Sequence, residues 1–307
     1  VGLTDQLYEL TENEGDGSGI TWGADNGMKL IDMMQFDENG NYAGALDFDD
    51  PMWDQLLDQM SFEDMSLLVN LGGWQTAQID SVGKVATSDC DGPAGVNNFI
   101  TGTYGTPYPT EVLMAQTWNT DLLYDLGLAM GQEYADVNNY GVYGPAMNTH
   151  RSAFAGRNFE YYSEDGVLAG KLAAAQVNAM ATKGTYNYIK HFALNDQETN
   201  RCAFLLTYSN EQAIREIYLK PFELCIKNFD GTQIAVMSSF NWIGTVPACA
   251  NEDTLTTILR NEWGFQGMVI TDYDGSYGYM ITDHCVRTGN DLMLGFSSQA
   301  SNQLTNT

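Results

Sequence analysis

The sequence predicts an α/β fold, a (β/α)8 TIM-like barrel that is irregular or incomplete, behind a short acidic N-terminal leader. Three observations predict it. Short β-prone runs alternate with long amphipathic helices, the pattern of parallel strands joined by crossover helices. Polar and charged residues gather at or just after six successive strand candidates; an open doubly wound sheet would concentrate them on a few strand ends, whereas a barrel brings nearly all its strand ends into one ring. No G-x-G-x-x-G follows a strand to mark a dinucleotide site, and no cofactor is expected.

Residues 1–50 differ from the rest. Glu12, Glu14 and Asp16 alternate with glycines at 15, 17 and 19, and Lys29 is the single basic residue. This stretch reads as the tail of a preceding region plus a linker with little core of its own, and with a short β element around 19–22. The barrel domain is expected to run from 51 to 307. Helical periodicity begins after Asp50-Pro51 and covers 52–60. Ser61 stands three before Asp64, a variant capping box that opens a second helix through Leu71, which Gly72-Gly73 ends. Strands are expected at 82–88, 139–144, 186–191, 233–238, 268–271 and 291–294, with helices at 120–136, 168–181, 211–228 and 252–262. The strand-end groups are Asp89 and Asp91, Arg151 and Arg157, Lys190 and His191, Asn241, Asp272, and Asp291.

The formal net charge of the 307 residues is −27 and the sequence pI is about 4.1. Such a surface repels phosphate backbones and anionic headgroups, so no nucleic-acid or membrane-surface partner is expected. A neutral partner such as a sugar loses nothing to like-charge repulsion. No apolar run approaches the roughly 18 residues that cross a bilayer. Cysteines at 90, 202, 225, 249 and 285 form no C-x-x-C pair and read as reduced, mostly buried thiols. His150, His191 and His284 show no H-x-H or H-E-x-x-H spacing, so no metal site is expected. No signal segment follows Val1, and the compartment stays open between cytoplasmic and secreted.

Four constellations carry chemistry. In Gly267-Met268-Val269-Ile270-Thr271-Asp272-Tyr273 an apolar strand delivers Asp272 at its end beside an aromatic ring. A carboxylate that attacks an anomeric carbon must be held this rigidly, and Tyr273 can wall the sugar; the same run also suits a turn cap. Lys190 and His191 together supply donors for vicinal hydroxyls, and Arg201 follows at the end of a dense polar loop. His191 alone also fits a satisfied core histidine. Arg157 has the fork that suits paired acceptors, while Glu160, Glu164 and Asp165 read as loop ion pairs and helix capping. Asp91, in Asp89-Cys90-Asp91-Gly92-Pro93, can accept from two adjacent hydroxyls or simply form the turn.

Together these segments resemble glycoside hydrolase family 3, the β-glucosidase group, over nearly all of residues 52–307. The blocks are DGPAG, GRNFEYYSED, KHFALNDQETNR, VMSSFN, GMVITDY and GNDLML, in the family's order along the chain. The resemblance implies a barrel domain and a retaining, exo-acting β-glycosidase that removes terminal non-reducing β-D-glucosyl units by double displacement. A neighbouring β-xylosidase specificity and a non-catalytic sugar-binding barrel are the alternatives. It implies Asp272 as nucleophile and Asp91, Arg157, Lys190, His191 and Arg201 as sugar ligands. Three positions depart from the family pattern. Tyr273 replaces a Trp, Phe240 stands where a Tyr often touches the nucleophile, and Asn97 stands where many members have Arg.

Retention needs a second carboxyl about 5–5.5 Å from the first. In the family's β-glucosidases it is a Glu of a second domain. Asp274 is too near Asp272 in sequence to face it across a substrate, and Glu198 is better explained as a partner for Arg201. The Val1 start, the acidic leader and the stop at Thr307 read as a piece of a longer protein, whose second domain is the expected source of the acid/base.

Overall fold

Six parallel strands form the centre of the computed structural model, which describes residues 19–202, 204–231, 233–274 and 278–295. They are β1 (Thr87–Asp91), β2 (Gly141–Tyr143), β3 (Tyr186–Phe192), β4 (Ile234–Ser238), β5 (Val269–Tyr273) and β6 (Leu292–Leu294). Each pairs in parallel with the next, so spatial order follows chain order. The result is an α/β half-barrel. Among the described residues six such strands stand where eight were expected.

The α-helices of five or more residues are α1 (Met52–Asp58), α2 (Phe62–Asn70), α3 (Glu111–Ala115), α4 (Thr120–Asp136), α5 (Gly166–Ala181), α6 (Lys220–Lys227) and α7 (Thr282–Arg287). Ser61 and Asp64 make the expected reciprocal cap: the Asp64 N–H donates to Ser61 Oγ at 3.0 Å, and the Ser61 N–H to Asp64 Oδ2 at 3.2 Å. The packing of α4 on α5 needs small residues. A Cβ at Gly127 would lie 2.5 Å from the Gln176 carbonyl oxygen, so any side chain there would push the helices apart. The helix expected at 211–228 widens into a π turn at Ile214–Tyr218 before α6. Pro221, which has no N–H to continue the regular ladder, stands at the second position of α6. The helix expected at 252–262 is π-type throughout Asp253–Glu262.

Strand residues alternate between two cores, as a pleated backbone requires. Tyr143, Tyr188, Met237 and Ile270 pack inside the curve of the sheet. Ile189, Val236 and Val269 face the helices, with Leu172, Val177 and Phe222. Asp91, Lys190 and Asp272 come two positions after Asp89, Tyr188 and Ile270, which puts them on the inner face at the C-terminal strand ends. Two residues earlier in β1, Asp89 is completely buried and accepts from the hydroxyls of Tyr186, Tyr188 (3.0 Å) and Thr87 (3.2 Å). Burial pushes its carboxyl up, although these hydrogen bonds and Lys84 act against it.

The segment between α2 and β1 spans from the last parallel strand to the first. A Cβ at Gly72 would come 2.3 Å from the Met293 carbonyl oxygen on β6, and Gln75–Thr76 pair antiparallel with Thr87 and Ser88 of β1.

Several local expectations are corrected. The strand placed at 82–88 starts later, because Gly83, at φ +66°, turns the chain and Lys84 bridges back to Ile79. No strand forms at 19–22; the leader instead makes a hairpin of Met34–Phe36 with Tyr42–Ala45. It also contributes to a core, since Met33 is fully buried with Leu56, Met60 and Ile79. The acidic run at 12–17 and the C-terminal residues 296–307 lie outside the described residues. No described helix is long and apolar enough to cross a membrane.

Candidate active site

Asp272 is the penultimate residue of β5 and only 8% exposed. The Tyr273 N–H donates to its Oδ1 at 2.8 Å. Among the described residues its Oδ2 accepts no hydrogen bond, and it faces His191 Nε2 at 3.7 Å. Burial pushes the carboxyl above the ordinary value, while Arg157, Arg201, the Tyr273 N–H and Lys190 oppose the rise.

His191 is fully buried. Burial, assisted by the fields of Arg157, Lys190 and Arg201, holds its imidazole well below the usual value, so the ring is neutral at pH 7. Its contact with Asp272 is therefore dipolar rather than an ion pair. The position is built from the backbone outward. Asn148 accepts the His191 N–H at 2.7 Å and donates to its carbonyl at 2.9 Å. Tyr161 Oη lies 3.2 Å from Nδ1 and receives Asn195 Nδ2 at 3.2 Å. The Tyr161 hydroxyl also has the Asn195 carbonyl as an acceptor at 3.5 Å.

Each arginine is held by a glutamate three positions away. Arg157 pairs with Glu160, and Arg201 Nε pairs with Glu198 Oε2 at 3.0 Å. Burial alone would raise Glu160, but Lys190 and Arg157 outweigh it and leave the carboxyl below its ordinary value. Glu198 stays raised by burial against the pull of Arg157 and Arg201. The Arg201 guanidinium also lies over the Phe240 ring, 4.6 Å from its centroid. Phe240 is buried, and its carbonyl accepts the Tyr279 hydroxyl at 2.8 Å.

Asp91, Arg157 and Lys190 share a cavity of about 470 Å³ with Glu160, Asn97 and Tyr104. Trp74, which the sequence reading did not single out, donates its indole N–H to Asp91 Oδ2 at 3.0 Å and packs 5.7 Å from the Tyr273 ring. A larger cavity of about 920 Å³ opens at the other end of the strands, lined by Leu30, Met34, Tyr186, Ile234 and Met268. It is mostly apolar and lies away from Asp91 and Asp272, so the smaller cavity is the candidate site; Asp272, His191 and Arg201 are not among its lining residues, and Asp272 is tied to it through the fields of Arg157 and Lys190.

Not every strand-end residue joins it. Asp291 precedes β6 rather than following a strand, and there it pairs with Arg260 at 2.6 Å and accepts the Val269 N–H at 2.7 Å. Asp89 lies within β1 and is spent on three hydroxyls. Asn241 donates to the Ala193 carbonyl at 3.1 Å, and Arg151 lies over the Tyr218 ring. Asn148, Tyr161 and Asn195 were missed, because single Asn and Tyr residues in loops carry no spacing signal. Among the described residues no three His, Cys, Asp or Glu side chains converge as metal ligands.

Parallel strands that present polar side chains at one end, packed with helices, define an α/β half-barrel protein. The chain belongs to glycosyl hydrolase family 3: the family's description, "Glycosyl hydrolase family 3 N terminal domain", matches residues 75–291. It is 40% identical over 245 residues to beta-glucosidase A of Butyrivibrio fibrisolvens, covering 77% of this chain and 29% of that protein. To a beta-glucosidase of Rhizobium radiobacter it is 35% identical, covering 78% of this chain and 29% of the relative. Among solved structures, beta-glucosidase 3B from Thermotoga neapolitana in complex with alpha-D-glucose superposes with a TM-score of 0.71 at 35% identity, over 78% of this chain and 36% of that one. A beta-glucosidase from Paenibacillus barengoltzii gives a TM-score of 0.76 at 29% identity, over 94% of this chain and 32% of that one. The chain thus spans less than a third of the length of the curated relatives it matches.

Proposed function

We propose that this chain is the nucleophile-bearing part of a retaining, exo-acting β-glycosidase of β-glucosidase type. Asp272 attacks the anomeric carbon of a terminal β-D-glucosyl unit, a Glu from a second domain of the same protein protonates the leaving oxygen, and water then cleaves the glycosyl ester. Asp91, Arg157, Lys190, His191 and Arg201 grip the sugar hydroxyls, while Tyr273 and Phe240 supply apolar walls. Residues 51–307 act as the barrel domain of an eight-stranded framework, with 1–50 as leader.

One observation carries the reading: a buried carboxylate at a strand end with one oxygen uncommitted, opposite a neutral imidazole and within the field of three cations. The names of the relatives support the substrate class, and the family description supports a second domain. Incubation with a fluorinated glucoside carrying a dinitrophenolate leaving group tests it, because that group needs little acid assistance. A glycosyl mass gain on the peptide containing Asp272 is the expected result. Sugar binding without any adduct would instead indicate a non-catalytic sugar-binding barrel.

A further inference from the structure

Trp74 packs on three aromatic rings and donates its indole N–H to Asp91. It follows Gly72-Gly73 in the segment that spans from β6 to β1, and its backbone sits in the left-handed region at φ 55°. That conformation is costly for a bulky side chain and persists where surrounding contacts hold it. The contacts are on both sides. Its carbonyl accepts the Asp89 N–H of β1 at 2.9 Å, while Gly72 abuts β6. The indole then reaches over the strand ends, 4.9 Å from Phe99, 6.4 Å from Tyr143 and 5.7 Å from Tyr273.

The indole N–H has only donor character, and it points at one oxygen of Asp91. Among the described residues the other Asp91 oxygen accepts no hydrogen bond, and Asp91 lines the polar cavity. A carboxylate with one oxygen fixed has lost its freedom to spin about its last torsion. Its second oxygen can then meet a ligand hydroxyl without first being ordered. The same indole rests on the neighbour of Asp272, so one side chain relates the end of β1 to the end of β5.

We infer that Trp74 is a positioning residue for sugar recognition, which acts by fixing the Asp91 carboxylate through its indole N–H. The inference rests on Asp91 as a sugar-binding group in the reading above.

Glucose affinity of this chain, measured by calorimetry, is the readout, because binding needs no bond to be broken. Trapping at Asp272 is followed in parallel. Replacing Trp74 by benzothienylalanine exchanges the N–H for sulfur and keeps the bicyclic shape. The expected result is about a tenfold weaker glucose affinity, the scale of one hydrogen bond to a charged group. Trp74→Phe, which also lacks the donor, should weaken binding at least as much. In an Asp91→Ala background the benzothienyl exchange should change affinity by less than about twofold, because the acceptor it acts through is gone. Unchanged affinity in the shape-preserving variant would overturn the inference, as would a full additional loss on top of Asp91→Ala. Glucose binding that follows this pattern without any trapping would sink the hydrolase reading and leave Trp74 in its role. Absence of glucose binding by the parent chain would remove both.

Discussion

Asp272 Oδ2 and His191 Nε2 face each other at 3.7 Å, beyond hydrogen-bond reach but close enough for each to feel the other's charge state. Attack requires the carboxylate, and burial raises the pH at which it forms. The rate of adduct formation should therefore rise with pH along an acid limb centred above the ordinary Asp value of about 3.9. His191 is already neutral through the physiological range, so no second inflection is expected near about 6.5. Mass-spectrometric trapping rates across that range check this. An inflection there that disappears in His191→Asn would contradict it.

If Asp272 is the nucleophile as proposed, Asp272→Asn should cut trapping and turnover by about three orders of magnitude or more. It should also make the protein more stable. A carboxyl whose folded value is raised costs stability once pH exceeds its unfolded value, so an uncharged isostere relieves the cost at pH 7. An increase in Tm of about 2–4 °C is expected. A lower Tm would show that the surrounding cations need the charge more than burial resists it.

Asp196, near Arg151 and Thr149, provides a second test. Burial pushes its carboxyl to about 7, with Arg151 and Thr149 acting against the shift. The folded state therefore binds the extra proton between the ordinary carboxylate range and about 7, and stability should fall as pH rises through that window. Asp196→Asn should raise Tm at about pH 8 and change it little at about pH 4. Chemical or thermal unfolding at the two pH values measures the difference, and equal effects at both would refute the assignment.

Tyr188→Phe removes one of three hydroxyl donors to the buried Asp89. A loss of about 1–3 kcal/mol is expected from urea unfolding, because a buried acceptor loses a partner that water cannot replace. Sugar affinity should change by less than about twofold, since Asp89 lies two strand residues before Asp91 and does not line the cavity.

The order of elements was legible because the strands are short apolar runs between long periodic helices, and Lys190-His191 and Asp272 lie in such runs. Boundaries were harder, and Asp291 shows why. In a run of four residues a shift of one position decides whether an acidic side chain belongs to the start of a strand or to a functional end. Here it belongs to the start, with Arg260. The π turns at Ile214–Tyr218 and Asp253–Glu262 keep the helical hydrophobic pattern closely enough to read as ordinary helix. Trp74 was invisible for a different reason. It reaches Asp91 across 17 positions through a turn geometry that no local pattern encodes.

The site's members are mounted with unequal firmness. Asp272 sits in a strand paired on both flanks, with the Leu294 N–H bound to Thr271 Oγ1 at 2.9 Å and the Asp274 N–H to the Leu294 carbonyl at 3.0 Å. Arg157 and Arg201 stand on loops, each anchored through a glutamate three positions away. Loops can be rebuilt at little cost to the core, whereas a flanked strand cannot. Selection of variants for a different sugar should therefore accumulate changes at 149–160 and 195–204 and spare 269–273, which sequencing the survivors would reveal. The strand that carries Asp272 is the fixed part of the site, and the arginine loops are where diversification has room to act.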